Sequence, residues 1–147
     1  MSSTGHGLNK KGMLRLVILF AAALLAIILI RAFADQEPDL SSLPGRQAYL
    51  HELGWEIDPA SEEHKTVRIP ESLDGVMAKY NELQLKQGCD LSRHLGEKCE
   101  QFSYAVTNYP DTDQTVQITL YIQGKTMIAG DIHSTALNGF MKSLKDS

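Results

Sequence analysis

The hydrophobic pattern divides the chain into one long apolar run and a longer region of short, alternating segments. Residues 16–30 are fifteen consecutive apolar residues, LVILFAAALLAIILI. Extended to positions 14–34, the run could form a helix of about 30 Å, the thickness of a membrane hydrocarbon core. Because nothing polar interrupts the central run, a buried helix of a soluble domain is disfavoured. The pattern predicts a transmembrane helix or a signal peptide over residues 13–34.

The charges on the two sides of this run differ in sign. Positive residues precede it and negative residues follow it: Lys10, Lys11 and Arg15 before, and Asp35, Glu37 and Asp39 after. A positive flank tends to remain in the cytoplasm. We therefore expect a single-pass protein of the cell membrane, with residues 1–12 in the cytoplasm and the C-terminal domain outside the cytoplasm.

A cleavage site offers an alternative fate for the same segment. Ala32, Phe33 and Ala34 form a small-x-small pattern of the kind that signal peptidase cuts. Cleavage after Ala34 would give a secreted domain, whereas the length of the run and the nearby Arg31 favour a retained anchor. Either outcome exports the domain.

The first part of the exported region predicts a linker, two helices and a strand. Residues 35–43 are polar and lack a helical period, so the domain is expected to cover residues 44–147. A helix over 44–53 would be capped by Ser42 and ended by Gly54, with Trp55 after it. A strand over 65–69 follows, with an extended stretch near 55–57 before it. The clearest helix covers 71–87 and ends at Gly88, and its apolar stripe is Leu73, Val76, Met77, Tyr80, Leu83 and Gln87.

The second part predicts three strands and a last helix. A short turn or helix at 90–92 is closed by Gly96, and strands follow over 99–108, 115–123 and 125–133. In the middle strand the residues expected to face the core are Val116, Ile118, Leu120 and Ile122. Ser134 would cap the last helix, whose buried stripe is Leu137, Phe140, Met141 and Leu144. The pattern predicts a two-layer α+β domain, with a mainly antiparallel sheet of three or four strands and helices on one face.

Charge limits the partners of the exported domain. Four of the 14 Lys and Arg residues precede Asp35, and none of the 18 Asp and Glu residues does, so residues 35–147 carry ten positive and 18 negative charges, a net charge of −8. A domain this acidic is poorly suited to nucleic acid or to an anionic lipid surface. We expect the membrane itself, through residues 13–34, and an envelope protein or peptide as partners, and no nucleic acid.

Two cysteines raise the question of a disulfide bond. Outside the cytoplasm Cys89 and Cys99 could close an eleven-residue loop, worth about 2–3 kcal/mol in the chain-entropy account. The alternative is two separate thiols, and neither residue lies beside a feature that would activate it as a nucleophile.

Asp131 and His133 are the clearest candidates for acid–base chemistry. Two residues apart on a strand, they point to the same face, either as half of a metal or acid–base site or as ordinary residues on the solvated face. A small hydrolase or metal-dependent enzyme would need a third group, such as His94 or Asp90. A metal site needs three or four ligands and only two are visible, so no metal and no cofactor is predicted.

A polar and aromatic cluster on the long helix is the other candidate site. Tyr80, Asn81 and Gln84, with Gln87, could bind a peptide or glycan, or Tyr80 could pack under the sheet while the amides hold loop backbone. Trp55, the only tryptophan, is expected in the core, with its N–H bonded to a backbone carbonyl.

Several short motifs resemble one family of exported proteins. The chain resembles the domain of unknown function family 4830, small membrane-tethered or signal-bearing proteins of Gram-positive bacteria. The motifs that carry the resemblance are Gly54-Trp55, Ile69-Pro70, Tyr80-Asn81-x-x-Gln84, Gly88-x-Asp90-Leu91, Asn108-Tyr109, Gly130-Asp131 and Gly139-Phe140. The resemblance implies an exported domain and no particular activity. Positions such as Cys89 and Cys99 are usually not cysteine in that family, which argues against a family-wide redox role.

These observations favour a non-enzymatic interaction module at the cell envelope. The apolar segment, the small size of the domain and the lack of a convergent catalytic array support this prediction, and no phosphate loop or hydrolase motif is present. The enzyme that would use Asp131 and His133 remains the alternative.

Overall fold

The N-terminal apolar segment forms one helix. The computed structural model describes residues 9–34 and 37–146, and the chain divides into two compact units, of which the second begins at Pro38. In the first unit, α1 covers Lys10–Ala34. Its span Lys10–Phe33 has a mean hydropathy of 2.9 and no buried residue in its most apolar stretch, so it is long and apolar enough to cross a membrane or to act as a signal sequence.

Two of the predictions for this region fall outside the described residues. The cleavage bond after Ala34 leads to Asp35, which is not among them, and neither is most of the expected cytoplasmic segment, residues 1–8.

The second unit is an α+β domain built on one antiparallel sheet, which confirms the predicted fold class. The strands are β1 (Ile57–Arg68), β2 (Lys98–Val106), β3 (Val116–Gln123), β4 (Thr126–Ser134) and β5 (Met141–Lys142), and they neighbour one another in chain order. The described residues thus form five strands rather than three or four. The first strand begins at Ile57 rather than at residue 65, because an irregularity between Asp58 and Glu63 lets both segments pair with β2.

One face of the sheet carries the main hydrophobic core. Alternation along β3 buries Val116, Ile118, Leu120 and Ile122 on this face, as predicted. Helix α2 (Leu43–Glu52) covers the face with the fully buried Leu50. The Ser42 side chain caps α2 by accepting a hydrogen bond of 3.2 Å from Gly45 N, and Gly54 ends the helical region with a φ of +88°, which confirms both predicted helix signals.

The segment before α2 packs on the domain. Leu40 is buried, and its N–H donates to the Lys125 carbonyl oxygen at 3.2 Å. The Asp39 carboxylate also pairs with Lys125, with 3.1 Å between Oδ2 and Nζ. The ordered domain therefore includes residues 38–42, which the polar pattern assigned to a linker.

Helix α3 covers Gly75–Leu85 and is shorter than the predicted 71–87. The carbonyls of Ile69 and Pro70 both accept from Gly96 N, at 3.1 and 3.2 Å, so they continue the β1–β2 pairing and are not available to a helix. The expectation of helices on a single face needs correction, because α3 packs against the second face of the sheet through Met77 and Tyr80.

The residues of α3 that are buried most completely are polar, Asn81 and Gln84. Val76, expected in the apolar stripe, is 81% exposed, whereas Gln84 is fully buried. The Gln84 Oε1 atom accepts from Gly130 N at 2.8 Å, and Gln87 Nε2 donates to Gly130 O at 2.7 Å. Gln87 Oε1 in turn accepts from Leu144 N at 3.0 Å. The side-chain amides of Gln84 and Gln87 therefore satisfy the N–H and C=O of Gly130 in β4, a position that the short strand β5 does not reach.

The predicted C-terminal helix is wrong. Ser134 N donates to Phe140 O at 3.0 Å, and Thr135 N donates to Thr115 O at 3.0 Å. The chain thus folds back after β4, and Met141–Lys142 pairs with β4 as β5 instead of continuing a helix. The Ser134 hydroxyl accepts from Ala136 N and caps only this turn. Of the expected stripe, Leu144 is buried but Leu137 is fully exposed.

Candidate functional site

A groove of about 740 Å³ lies between α3 and the second face of the sheet; we call it the α3 groove. It is open to solvent and has an apolar wall and a polar floor. The residues of α3 that line it are Val76, Met77, Lys79, Tyr80 and Leu83. The sheet contributes Glu63, Lys65, Gln101, Ser103, Gln117, Thr119, Tyr121, Asp131, His133 and Met141.

Strand register arranges the floor in rows that cross the sheet. The central row, from β1 to β4, is Glu63, Ser103, Thr119 and Asp131, each paired with the next. The row on one side is Lys65, Gln101 and Tyr121, and the row on the other side ends in Gln117 and His133. Since side chains two apart on a strand share a face, all of these residues point toward α3.

Asp131 connects the floor to the helix. Its side chain is only 3% exposed and accepts two hydrogen bonds, from the Tyr80 hydroxyl at 2.6 Å and from His133 Nδ1 at 2.7 Å. The alternative that Asp131 and His133 are ordinary residues on a solvated face is wrong for Asp131, because α3 covers this face.

These contacts determine the protonation of the group. The hydrogen bond to Asp131 raises the pKa of His133 above its ordinary value, outweighing burial, which acts in the opposite direction. Burial, reinforced by the Asp131 charge, raises the pKa of the Tyr80 hydroxyl, so Tyr80 remains a hydrogen-bond donor. Burial raises the pKa of Tyr121 to about 12.

The arrangement leaves one ring nitrogen of His133 for the groove. Because Nδ1 is held by Asp131, the opposite atom, Nε2, is the one that can bond a ligand or move a proton. In the part of the chain that the structure describes, Nε2 makes no hydrogen bond. The nearby hydroxyls of Ser103 and Thr119 bond to each other at 3.0 Å.

The other members of the predicted helix cluster hold backbone instead of lining the groove. Asn81 Oδ1 accepts from Leu91 N at 2.7 Å, and its Nδ2 donates to Asp90 at 3.2 Å. Gln84 bonds Gly130 of β4, as described above. Of the predicted binding residues, the structure therefore brings together Tyr80, Asp131 and His133, while Asn81 and Gln84 support the loop and the strand around them.

Asp90 and His94, considered as a third group of an enzyme, do not line the α3 groove. They line a separate depression of about 460 Å³ together with Cys89. Asp90 caps the short 3₁₀ turn Leu91–Arg93, and His94 contacts Glu97 at 3.0 Å. Within residues 9–34 and 37–146, no group of three His, Cys, Asp or Glu residues is placed to hold a metal ion.

Cys89 and Cys99 are separate free thiols in this structure. Cys99 is buried under the second face of the sheet, and Cys89 lies half-buried near the Met127 carbonyl. Burial raises the pKa of both thiols, which disfavours the reactive thiolate.

Sequence reasoning missed the polar floor. Gln101 and Ser103 on β2, and Gln117 and Thr119 on β3, alternate with core residues, and this alternation alone does not indicate that a helix covers them. The signal that could have identified them is a run of amide and hydroxyl side chains, instead of charged ones, at the outward positions of two neighbouring strands.

The raised pKa of His133 makes stability pH-dependent. A group whose pKa is higher in the folded state contributes stability that is complete below the unfolded value, about 6.5, and is lost as the pH rises through the folded value. We expect the free energy of unfolding to decrease between about pH 6 and pH 8 by more in the wild type than in His133→Gln. Urea unfolding at both pH values would measure this difference, and equal decreases in the two proteins would contradict it.

The comparisons with known proteins agree with the family suggested by the motifs. Residues 49–132 match the family described as Domain of unknown function (DUF4830). This stretch runs from α2 into β4 and includes Tyr80 and Asp131, whereas His133 lies just beyond it. No curated protein and no solved structure matches the chain. Because the match covers more than half of the 147 residues, the chain belongs to the DUF4830 family.

Proposed function

We propose that the protein is a membrane-anchored binding module of the cell envelope, with the α3 groove as its ligand site. The groove carries this proposal, because it combines an apolar wall, a hydrogen-bonding floor and a partly exposed histidine paired with a buried carboxylate. Binding sites for small molecules and peptides commonly have this composition. The ligand would be a peptide or another envelope component that lies across the strands.

The placement outside the cytoplasm rests on α1 and its flanks. Lys10 and Lys11 lie at the start of α1, before its apolar run, and acidic residues follow the helix, the asymmetry that favours export of the C-terminal side. A retained helix would keep the domain at the membrane, whereas cleavage after Ala34 would release it. The mass of the mature protein, compared with that of the full chain, distinguishes these two fates.

The contacts of the floor favour binding over catalysis. The hydroxyls of Ser103 and Thr119, the nearest candidates for a nucleophile, bond to each other, and no hydrogen bond joins either one to His133 in the described residues. A nucleophile and its base are normally within hydrogen-bond reach. The floor residues therefore support recognition through hydrogen bonds.

One observation favours a second candidate, a small hydrolase. Asp131 orients His133 at 2.7 Å, as a carboxylate orients the general base of a hydrolase. In that case His133 Nε2 would take a proton from a bound water. Turnover of peptide or ester substrates that is abolished in His133→Gln would support the hydrolase, and turnover that survives in this variant would count against it.

Site-specific photocrosslinking in the full chain tests the binding module. Val76 lies at the groove and is 81% exposed, so a photoreactive phenylalanine analogue there should not disturb the core. Leu137 is fully exposed and does not line the groove, which makes it a matched control position. We expect a discrete adduct from position 76 after irradiation of intact cells and none from position 137. Equal labelling at both positions, or at neither, would contradict the proposal.

A further inference from the structure

The α3 groove differs in charge from the domain around it. Residues 35–147 carry a net charge of −8, but the charged residues at the groove are Lys65 and Lys79 against Glu63, with the Asp131–His133 pair at one end. Asp131 is paired with His133, so its charge is compensated when the imidazole is protonated, and the lining then carries a net charge of +1. With His133 protonated, the groove is therefore a weakly positive site in an acidic domain.

The positive groups come from different elements around the groove. Lys65 lies on β1 and Lys79 on α3, while His133 is on β4. The residues that line the groove from β2 and β3 are uncharged, and β5 contributes Met141. Glu63 and Lys65 lie at the β1 end, three strands away from His133. Among the strand residues at the β4 end, His133 is thus the charged group that a ligand can contact.

The geometry of His133 makes its protonated form a hydrogen-bond donor toward the groove. In its protonated form both ring nitrogens donate, and Nδ1 is committed to Asp131. The atom that remains, Nε2, can donate one charge-assisted hydrogen bond. Among the described residues that line the groove there is no arginine, the residue type best suited to hold a phosphate with two parallel bonds. One imidazolium donor fits a carboxylate better than a phosphate.

The floor also sets a length for the ligand. From β1 to β4 the central row crosses three inter-strand spacings, about 14 Å, which matches about four residues of extended peptide. Between the charged ends the floor offers Gln101 and Gln117, whose amides can both donate to and accept from a peptide backbone.

We infer that the α3 groove binds a short extended peptide by its C-terminal carboxylate, which accepts a hydrogen bond from His133 Nε2. This inference rests on the proposed binding function of the groove and specifies its ligand. The Asp131 carboxylate and the Tyr80 hydroxyl position the imidazole, and the amides of the floor contact the peptide backbone.

The test compares two peptides that differ only at the C-terminus. The full chain, in detergent micelles and labelled at histidine, is titrated with N-acetyl-tetraalanine as the free acid and as its C-terminal amide, and the His133 resonances are followed by NMR. We expect the acid to bind about tenfold more tightly than the amide at about pH 6, the worth of one charge-assisted hydrogen bond. The preference should decrease as the pH rises above the pKa of His133.

A variant and a second anion complete the experiment. In His133→Gln, which keeps a neutral donor, the acid and the amide should bind equally. Should this variant fail to fold, the pH titration of the wild type still provides the test. Equal binding of acid and amide by the wild type, no binding of either peptide, or a response of His133 to inorganic phosphate but not to the acid would each overturn the inference. Crosslinking from position 76 would still report on the binding function itself.

Discussion

Replacing Trp55 by alanine is expected to lower the free energy of unfolding by about 3–5 kcal/mol. The indole lies in the main core, only 7% exposed, and stacks on Tyr109 with 5.8 Å between ring centroids. Its Nε1 atom donates to the Leu144 carbonyl oxygen at 2.8 Å, so it also attaches the C-terminal segment to the region that follows α2. The alanine variant would lose the packed ring, leave a cavity and remove this hydrogen bond. Urea unfolding followed by far-UV circular dichroism measures the change.

Two control variants separate these contributions. Trp55→Phe keeps an aromatic ring and loses the N–H donor, so we expect a smaller loss of about 1–2 kcal/mol. Leu137→Ala removes a side chain that is fully exposed, and we expect a change within about 0.5 kcal/mol. A large loss of stability in Leu137→Ala would instead support the C-terminal helix that the sequence predicted, in which Leu137 is buried.

Replacing Arg46 by alanine should lower the free energy of unfolding nearly as much as Trp55→Ala, by about 3 kcal/mol. The guanidinium is almost completely buried. It donates from Nε to the Tyr104 hydroxyl at 2.6 Å, and from Nη1 to the carbonyl oxygens of Leu40 and Ser41 at 3.0 Å each. The alanine variant would leave these acceptors without their donor in the core.

The partners of Arg46 explain why its charge is tolerated in the core. Its Nη2 atom pairs with Glu62 at 3.0 Å, and its Cζ atom lies 3.7 Å from the centroid of the Phe102 ring. Burial acts to raise the pKa of the Glu62 carboxyl, but hydrogen bonds from Tyr104 and Arg46 outweigh it and lower that pKa. Because the Glu62 side chain is 30% exposed, we place the cost at the lower end of the range for buried pairs.

The control for Arg46 is an arginine with a similar pairing at the surface. The Arg93 side chain is 79% exposed and lies 3.5 Å from Asp90, so Arg93→Ala should cost less than about 0.5 kcal/mol. Arg46→Lys should recover only part of the loss, since one ammonium cannot reach all four acceptors of the guanidinium. Equal losses for Arg46→Ala and Arg93→Ala in urea unfolding would show that the buried contacts contribute little.

Local sequence patterns predicted the strands of the β3–β4 hairpin and helix α2 well. The alternation of β3 and the cap and stop residues of α2 depend on contacts within a few positions of the chain, which a sequence displays directly. The fifteen-residue apolar run is equally explicit, since its length alone matches a membrane.

Local patterns failed where backbone groups have distant partners. Ser134 is followed by residues that suit a helix, but its N–H bonds to Phe140 and the segment returns to pair with β4. Residues 71–74 failed to begin α3 for a related reason, since the carbonyls just before them bond to Gly96. Neither partner is adjacent in sequence. Helix propensity, which depends on local residues, therefore could not indicate that these backbone groups bond elsewhere.

In the candidate site, too, local patterns were predicted correctly and contacts between distant residues were not. The spacing of Asp131 and His133 placed them on one face of a strand, and sequence reasoning also identified Tyr80 as a member of a candidate cluster. What the sequence could not show is that Tyr80, 51 positions away, donates to Asp131. Nor could it show that α3 covers this face of the sheet.

By itself, the sequence determined the apolar helix, the acidic charge of residues 35–147, the α+β class and the core face of the sheet, because each depends on composition or on a period within one segment. Only the tertiary structure decided that α3 lies on the opposite face from α2, that two glutamines satisfy the edge of β4, and that a groove with a polar floor results. These features depend on which distant groups satisfy one another's hydrogen bonds, and that is settled only when the whole chain has packed.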